Sequence, residues 1–128
     1  MAVSVPFYVE GLGFRMTKQW TPDGQLRWCW LEMDGAALML QDRWRECGGE
    51  AWKPSGKVGE GVTICFNCMP SSGNDALSIY HDLRSRGIAA TRPFVGNGMW
   101  VTSVSDPDGY RLEFQSPTDV AEETVYEE

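Results

Sequence analysis

Two segments of the sequence repeat one pattern and differ at a position where metal chemistry is possible. Residues 108–115 and a weaker copy at 34–41 both begin with Asp-Gly and end with Gln. When the two copies are superimposed, Met39 takes the position of Glu113. A carboxylate binds divalent cations, whereas a thioether is a poor ligand for hard ions. The two copies therefore differ in their capacity to hold a metal.

The tryptophans are the second group of residues that could do chemistry. Asp34-Gly35 favours a two-residue hairpin turn, which pairs Trp30 with Met39. Paired residues of antiparallel strands lie on the same face of a sheet. The face predicted for this hairpin carries Trp28, Trp30, Glu32, Met39 and Gln41.

The second half of the chain predicts a similar face. A turn at 106–109 joins two strands, and the expected parity puts Trp100 and Thr102 on the side of Arg111 and Glu113. Three indoles would then point away from the core. Apolar residues of the opposite parity supply the core, namely Leu31, Leu38, Leu40, Leu112 and Phe114.

Indoles at strand spacing are often core residues, and that interpretation stays open. The alternative is a binding surface, because indoles stack on flat aromatic rings and on cations. Glu32 and Glu113 would then favour a positively charged ligand. Trp44 and Trp52 could close over the mouth of such a pocket.

Other residue types indicate little further chemistry. The single histidine, His81, lies in a predicted helix and is expected at the surface. The four cysteines are expected to be reduced in a cytosolic protein, and they comprise Cys29, Cys47, Cys65 and Cys68. Cys65 and Cys68 have C-x-x-C spacing, but residues three apart in a strand point to opposite faces.

Length and charge restrict the class of protein. A chain of 128 residues is expected to form one domain with its own core. A net charge of −7 makes nucleic-acid binding unfavourable, and no apolar run could span a bilayer. We expect a soluble protein located in the cytoplasm, with no membrane or nucleic-acid partner.

The order of predicted elements indicates an internal duplication. Module one, 1–42, contains a helix near 4–13 and strands at 15–20, 25–33 and 36–41. A linker follows at 43–60. Module two, 61–116, contains a strand at 61–68, a helix at 75–87 and strands at 89–95, 99–105 and 110–115. Residues 117–128 are predicted to form a loosely ordered acidic tail.

This duplicated arrangement resembles the vicinal oxygen chelate superfamily, which includes glyoxalase I, extradiol dioxygenases and bleomycin-resistance proteins. The motifs that carry the resemblance are Phe7-Tyr8-x-x-x-Leu12-Gly13-Phe14 and Asp106-Pro107-Asp108-Gly109-Tyr110-x-x-Glu113. It implies an α+β fold of two βαβββ modules whose sheets form cups, usually paired in a dimer. The first module has no room for its leading strand, so exchange of strands or modules between subunits is an open alternative.

The resemblance also implies where a metal would bind in the enzymes of that superfamily. Of those positions this chain keeps Glu113, while Met39 and Thr63 replace a carboxylate and a histidine. The position on the leading strand of module one is missing. We therefore expect no metal, no cofactor and no catalytic residue.

The leading hypothesis is a non-catalytic, homodimeric antibiotic-binding protein that gives self-resistance by sequestering a bulky aromatic or peptide-type antibiotic. One alternative is a metal-dependent lyase or dioxygenase of the same fold with a shifted metal site, and another is that the indoles form a dimer interface. The predicted ligand-binding residues are Trp28, Trp30, Glu32, Met39, Gln41, Thr63, Trp100, Thr102, Arg111 and Glu113.

Overall fold

The computed structural model describes residues 1–42, 56–68 and 73–128 and has the α+β architecture that the sequence predicts. A short helix α1 (Ser4–Pro6) continues as a π-helical turn (Phe7–Gly11). The remaining elements are β1 (Arg15–Trp20), β2 (Trp28–Met33), β3 (Ala36–Gln41), β4 (Thr63–Asn67), α2 (Ala76–Ser85), β5 (Phe94–Gly96), β6 (Met99–Ser105) and β7 (Arg111–Pro117). Most of the predicted linker lies outside the described residues.

The strands form two separate sheets, one from each half of the chain. The first has the order β1-β2-β3 and is antiparallel, and the second has the order β4-β7-β6-β5 with β4 parallel to β7. In the second sheet β4 covers the outer edge of β7. Within the described residues no strand takes the equivalent place beside β3, so β3 is an edge strand.

Local sequence signals explain where α2 begins and ends. Asp75 is the N-cap, and its carboxylate accepts a hydrogen bond from the Ser78 amide over 2.8 Å while the Ser78 hydroxyl accepts one from the Asp75 amide over 3.1 Å. This reciprocal capping box satisfies two amides that the helix would leave unpaired. Gly87, which follows the helix, has a φ of +76° that glycine adopts without strain.

One core serves both halves. The Phe14 ring lies 5.7 Å from that of Phe66, which stacks on Phe114 at 5.3 Å. From the first sheet, Cys29 and Leu31 are fully buried in the same cluster. The helical segments and the inner faces of both sheets therefore pack together, and each sheet keeps one outer face.

The hairpin between β6 and β7 corrects the predicted register. Trp100 pairs with Ser116 and Thr102 with Phe114, so even-numbered residues of the two strands share the inner face. The sequence-based parity had placed Trp100 and Thr102 on the opposite side, and this was wrong. A shift of one residue in a hairpin moves every side chain to the other face.

The length of the loop causes that shift. Asp106 and Tyr110 still face each other, since the Asp106 amide donates to the Tyr110 carbonyl over 2.9 Å. Asp106 Oδ1 also accepts from the amides of Asp108 and Tyr110, at 2.9 and 2.8 Å. The loop proper is thus three residues, Pro107–Gly109, and Gly109 takes the required positive φ of +92°.

The C-terminal residues are also placed differently from the prediction of a loosely ordered tail. They run antiparallel along β5, with Val95 donating to Thr124 over 2.8 Å and Tyr126 donating to Pro93 over 2.9 Å. The Tyr126 ring lies edge-on to Trp100 at 6.0 Å. The tail therefore acts as an additional strand-like edge of the second sheet.

A smaller difference from the prediction concerns β5. The strand predicted at 89–95 is confined to Phe94–Gly96, although the Thr91 amide still donates to the Ser103 carbonyl over 2.8 Å. No helix in the described part of the chain is long and apolar enough to cross a membrane.

Candidate functional site

The outer face of the first sheet brings three indoles together. β2 and β3 have the predicted register, since Trp30 pairs with Met39 and Trp28 with Gln41. β1 adds Trp20, which pairs with Trp28 across the two strands. Trp20 is 48% exposed and Met39 is 58% exposed. We call this surface the indole face, made of Trp20, Trp28, Trp30, Lys18 and Met39.

A β-bulge in β1 puts Trp20 on this face. The register shifts between Met16 and Lys18, so Met16 pairs with Leu31 on the inner side and Lys18 with Trp30 on the outer side. Without the bulge, strict alternation from Met16 would place Trp20 on the inner side. Sequence analysis missed both Lys18 and Trp20, because no residue pattern marks the extra residue of a bulge.

The carboxylate of Glu32 organises one end of the indole face. Its Oε1 accepts hydrogen bonds from Trp30 Nε1 at 2.9 Å and from the Thr17 hydroxyl at 3.3 Å. Its Oε2 lies 3.4 Å from Arg15 Nη2 in an ion pair. These contacts orient the Trp30 ring and give a partner to each oxygen of the carboxylate that the sequence assigned to ligand binding.

Lys18 lies on the same face, on the edge strand β1. Its ammonium is 5.6 Å from the centroid of the Trp30 ring, within the range of a cation–π contact. At the other end Arg27 pairs with both Asp23 and Asp42, at 2.6 Å each. The face therefore combines flat apolar rings with charged groups at its rim.

The second sheet presents a polar outer face. Thr63 pairs with Arg111 and Cys65 with Glu113 on adjacent parallel strands. Arg111 Nη2 lies 3.0 Å from Glu113 Oε1. Burial raises the pKa of the Cys65 thiol, and the Glu113 charge raises it further, so this thiol stays protonated at neutral pH.

Trp100 and Thr102 do not belong to this outer face. Thr102 is fully buried, and its hydroxyl donates to the Thr91 carbonyl over 2.7 Å. Trp100 packs against Tyr126, which in turn contacts the rings of Tyr80 and His81 at 6.2 and 5.5 Å. Trp100 therefore contacts the tail, and Thr102 holds the segment at Thr91.

The remaining polar candidates agree with their predicted surroundings. His81 is exposed, and its Nε2 is 3.0 Å from the Tyr126 hydroxyl. Cys65 is exposed while Cys68 is buried, so the two sulfurs of the C-x-x-C sequence do not converge. Burial raises the pKa of the Cys68 thiol to about 11.

The donor set does not fit a divalent metal at the position that the fold suggests. Glu113 is paired with Arg111, Thr63 replaces an imidazole, and the equivalent residue of the first half is the thioether of Met39. In residues 1–42, 56–68 and 73–128, no three His, Cys, Asp or Glu side chains converge as metal ligands. A divalent site requires about three such donors.

In the described part of the chain, the contacts that join the two halves lie away from the two outer faces. The halves are linked through the core, through Tyr8 and Asp106 at 2.8 Å, and through Asn74 and Asp34 at 2.6 Å. No hydrogen bond or ion pair between described residues connects the indole face to Glu113. The predicted site residues therefore divide into an indole group, a polar group and the inward-facing pair Trp100 and Thr102.

Two cavities formed by described residues lie away from the indole face. One of about 620 Å³ separates the loop at 56–60 from the Pro107–Gly109 turn, and one of about 550 Å³ lies between α1 and residues 25–26. On the indole face itself, Trp20 and Met39 are exposed. Large exposed aromatic patches on a folded protein are covered by a ligand or by another chain.

A protein-family model matches most of the chain. Residues 1–114 match the family model described as Glyoxalase/Bleomycin resistance protein/Dioxygenase superfamily. No curated protein matches the chain.

Solved structures of similar fold have low sequence identity. TnmS3, an antibiotic binding protein from Streptomyces sp. CB03234, has a TM-score of 0.67 and 24% identity over 91% of this chain and 86% of its own. A glyoxalase/bleomycin resistance protein/dioxygenase from Nocardioides has a TM-score of 0.62 and 20% identity over 98% of this chain and 82% of its own. A glyoxalase/bleomycin resistance protein from Streptomyces sp. CB03234 has a TM-score of 0.63 and 22% identity over 91% of this chain and 90% of its own.

Proposed function

The chain belongs to the Glyoxalase/Bleomycin resistance protein/Dioxygenase superfamily, and on that premise we propose that it is a non-catalytic antibiotic-binding protein. It would give self-resistance by sequestering a bulky aromatic or peptide-type antibiotic in the cytoplasm. The observation that carries the proposal is the indole face, where Trp20, Trp28 and Trp30 stand side by side on adjacent strands.

Three further observations support a binding role. Flat rings of three indoles offer a stacking platform that tolerates different aromatic ligands. The residues at the metal position of the fold are a poor donor set, with Glu113 already paired to Arg111. TnmS3, whose fold is similar, is an antibiotic binding protein.

We further propose that the protein forms a homodimer in which β3 of one copy pairs with β4 of the other. β3 runs Ala-Ala-Leu-Met-Leu-Gln and β4 runs Thr-Ile-Cys-Phe-Asn, and neither contains a charge or a proline. Edge strands that stay unpaired usually carry such residues as protection. Met39, Val62 and Ile64, at or beside these two edges, are among the most exposed large apolar residues.

Pairing of these two edges would place the indole face of one copy beside the polar outer face of the other. A single continuous surface would then contain Trp28 and Trp30 from one chain and Thr63, Arg111 and Glu113 from its partner copy. The dimer would thereby unite the two groups of predicted site residues that one chain keeps apart.

The proposed function is tested by following tryptophan fluorescence during titration with aromatic antibiotics, including bleomycin and quinoxaline-type peptides. Each titration is run with and without Zn²⁺, Ni²⁺ or Fe²⁺. We expect saturable quenching that does not depend on metal, at one or two ligands per dimer.

Two outcomes would contradict the proposal. Absence of any response to the whole panel would remove the binding role. Stoichiometric metal uptake accompanied by turnover would instead indicate a metal-dependent lyase or dioxygenase with a shifted site. Trp100→Phe provides a matched control, since Trp100 lies under the tail and not on the indole face.

A further inference from the structure

The charged groups of the indole face are not equivalent. Glu32 receives hydrogen bonds from Trp30 and Thr17 and an ion pair from Arg15, so both of its oxygens have partners. Lys18 lies over the Trp30 ring and makes no ion pair with any residue that the structure describes. Among the residues that the structure describes, the face therefore offers a ligand one positive charge without an ion pair, and its carboxylate already has partners.

On the polar face of the second sheet the carboxylate is also paired with an arginine. Glu113, the other carboxylate that the sequence assigned to a cationic ligand, lies 3.0 Å from Arg111. A cation approaching either carboxylate would meet the positive charge of an arginine already beside it. An anion approaching Lys18 would displace only water and the weak contact with the ring.

From these contacts we propose that the ligand of the indole face is a planar aromatic compound carrying an anionic group, a carboxylate or an ionised phenol. Its ring stacks on the indoles and its anionic oxygen pairs with Lys18 Nζ. This inference rests on the proposed binding function and reverses the charge preference predicted from the sequence.

The net charge of −7 does not oppose this assignment. Exposed charges separated by more than the Debye length, about 8 Å at physiological ionic strength, are largely screened. A pair in direct contact is screened far less. Lys18 therefore makes the largest electrostatic contribution to binding of a ligand that stacks on Trp30. The flexible four-carbon stem of lysine allows the ammonium to follow the position of the anion.

A matched series of ligands tests the charge preference. 9-Anthracenecarboxylate, 9-anthracenemethanol and 9-(aminomethyl)anthracene share one ring system and are anionic, neutral and cationic. Isothermal titration calorimetry at low salt is expected to give the lowest Kd for the carboxylate, roughly 10-fold below that of the alcohol, as expected for about 1.4 kcal/mol. The amine is expected to bind most weakly.

Substitutions of Lys18 test whether this residue causes the preference for the carboxylate. In Lys18→Met we expect the advantage of the carboxylate over the alcohol to fall below about 2-fold, while the Kd of the alcohol stays within about 2-fold of the wild type. Lys18→Arg should keep the preference. Lys57→Met removes an equal charge far from the face, beside the Pro107–Gly109 turn, and should leave all three affinities unchanged.

The possible results separate this inference from the function on which it rests. Equal affinities for the three compounds, tightest binding of the amine, or a carboxylate preference that survives Lys18→Met would overturn the inference while leaving an aromatic-binding face. Absence of binding by all three, or binding unaffected by Trp28→Ala and Trp30→Ala together, would overturn both.

Discussion

The Tyr8 hydroxyl donates a hydrogen bond of 2.8 Å to Asp106 Oδ2, and the two residues are 98 positions apart in the sequence. Asp106 uses its other oxygen to fix the three-residue loop that sets the register of β6 and β7. A single buried carboxylate therefore joins the first helical segment to the last hairpin and determines which side chains of the second sheet face the core.

Removal of the Tyr8 hydroxyl should destabilise the fold. In Tyr8→Phe the buried Asp106 carboxylate loses a donor, and the free energy of unfolding is expected to fall by about 1–3 kcal/mol. Urea denaturation at neutral pH measures the change. Tyr110→Phe is a suitable control with an expected change within about 0.5 kcal/mol, since the Tyr110 hydroxyl makes no hydrogen bond to a described residue.

The same pair predicts how stability changes with pH. Burial, and then the bond to Asp106, raise the pKa of the Tyr8 hydroxyl far above its usual value of 10.0. The unfolded chain loses this proton at a lower pH than the folded protein does. The stabilisation is therefore complete below pH 10 and is lost as the pH rises further, by about 1.4 kcal/mol per pH unit.

Tyr8→Phe lacks this ionisation, so its deficit relative to the wild type should shrink as the pH rises from about 9 to about 11. Other groups titrate in both proteins and cancel in the difference. A constant deficit over this interval would show that Tyr8 ionises equally in the two states, and a growing deficit would show that folding lowers its pKa; either result would contradict the prediction.

The indole face predicts which tryptophans contribute to ligand binding. Trp28→Leu and Trp30→Leu are each expected to weaken binding of an antibiotic identified in the fluorescence titration by roughly 2- to 10-fold, because ring stacking contributes about 0.5–1.5 kcal/mol. Trp100→Phe should leave the affinity unchanged. Calorimetric titration gives the three values, and a larger loss in Trp100→Phe than in the other two would place the ligand elsewhere.

The docked tail predicts a measurable contribution of Tyr126 to stability. Its ring contacts Trp100, Tyr80 and His81, and its backbone amide donates to Pro93. Tyr126→Ala should lower the free energy of unfolding by about 1–3 kcal/mol and shift the Trp100 emission to longer wavelength. Glu127→Ala, in the exposed next residue, should do neither. Equal effects of both substitutions would argue against a specific Tyr126 contact.

The two uncharged edges predict a dimer that single lysines can dissociate. Ala37→Lys on β3 and Thr63→Lys on β4 alter exposed side chains of the proposed interface and should each convert dimer to monomer. Gln19→Lys on β1, the opposite edge of the first sheet, should leave the dimer intact. Sedimentation equilibrium distinguishes these results, and dissociation by Gln19→Lys alone would assign the interface to β1.

Sequence reasoning succeeded where a local signal determines geometry. Asp34-Gly35 is a two-residue turn, so the pairing of Trp30 with Met39 followed directly. It failed where the length of a loop decides the register. Asp106 closes a three-residue loop at Pro107–Gly109 by accepting from the amides of Asp108 and Tyr110. The sequence was interpreted as a turn at 106–109, one residue longer, and this placed Trp100 and Thr102 on the wrong face.

Only part of the indole face was predicted from the sequence, for a related reason. Trp28 and Trp30 lie next to a strong turn signal, whereas Trp20 reaches the indole face only through the bulge in β1. Glu32 and Glu113 were correctly placed on outer faces, but the sequence did not indicate that each has an arginine partner. Partners of this kind depend on side-chain reach between neighbouring positions, which strand parity does not describe.

The bulge in β1 also has an evolutionary consequence. Because the register already shifts between Met16 and Lys18, loss of the Thr17 codon would yield a regular strand in which Lys18 and Trp20 keep their outward orientation. Loss of a codon elsewhere in β1 or β2 would move the side chains of part of that strand to the opposite face of the sheet. Descendants of this gene should therefore tolerate a one-codon deletion at this position more readily than at its neighbours, and a deletion library scored for folding would detect the difference.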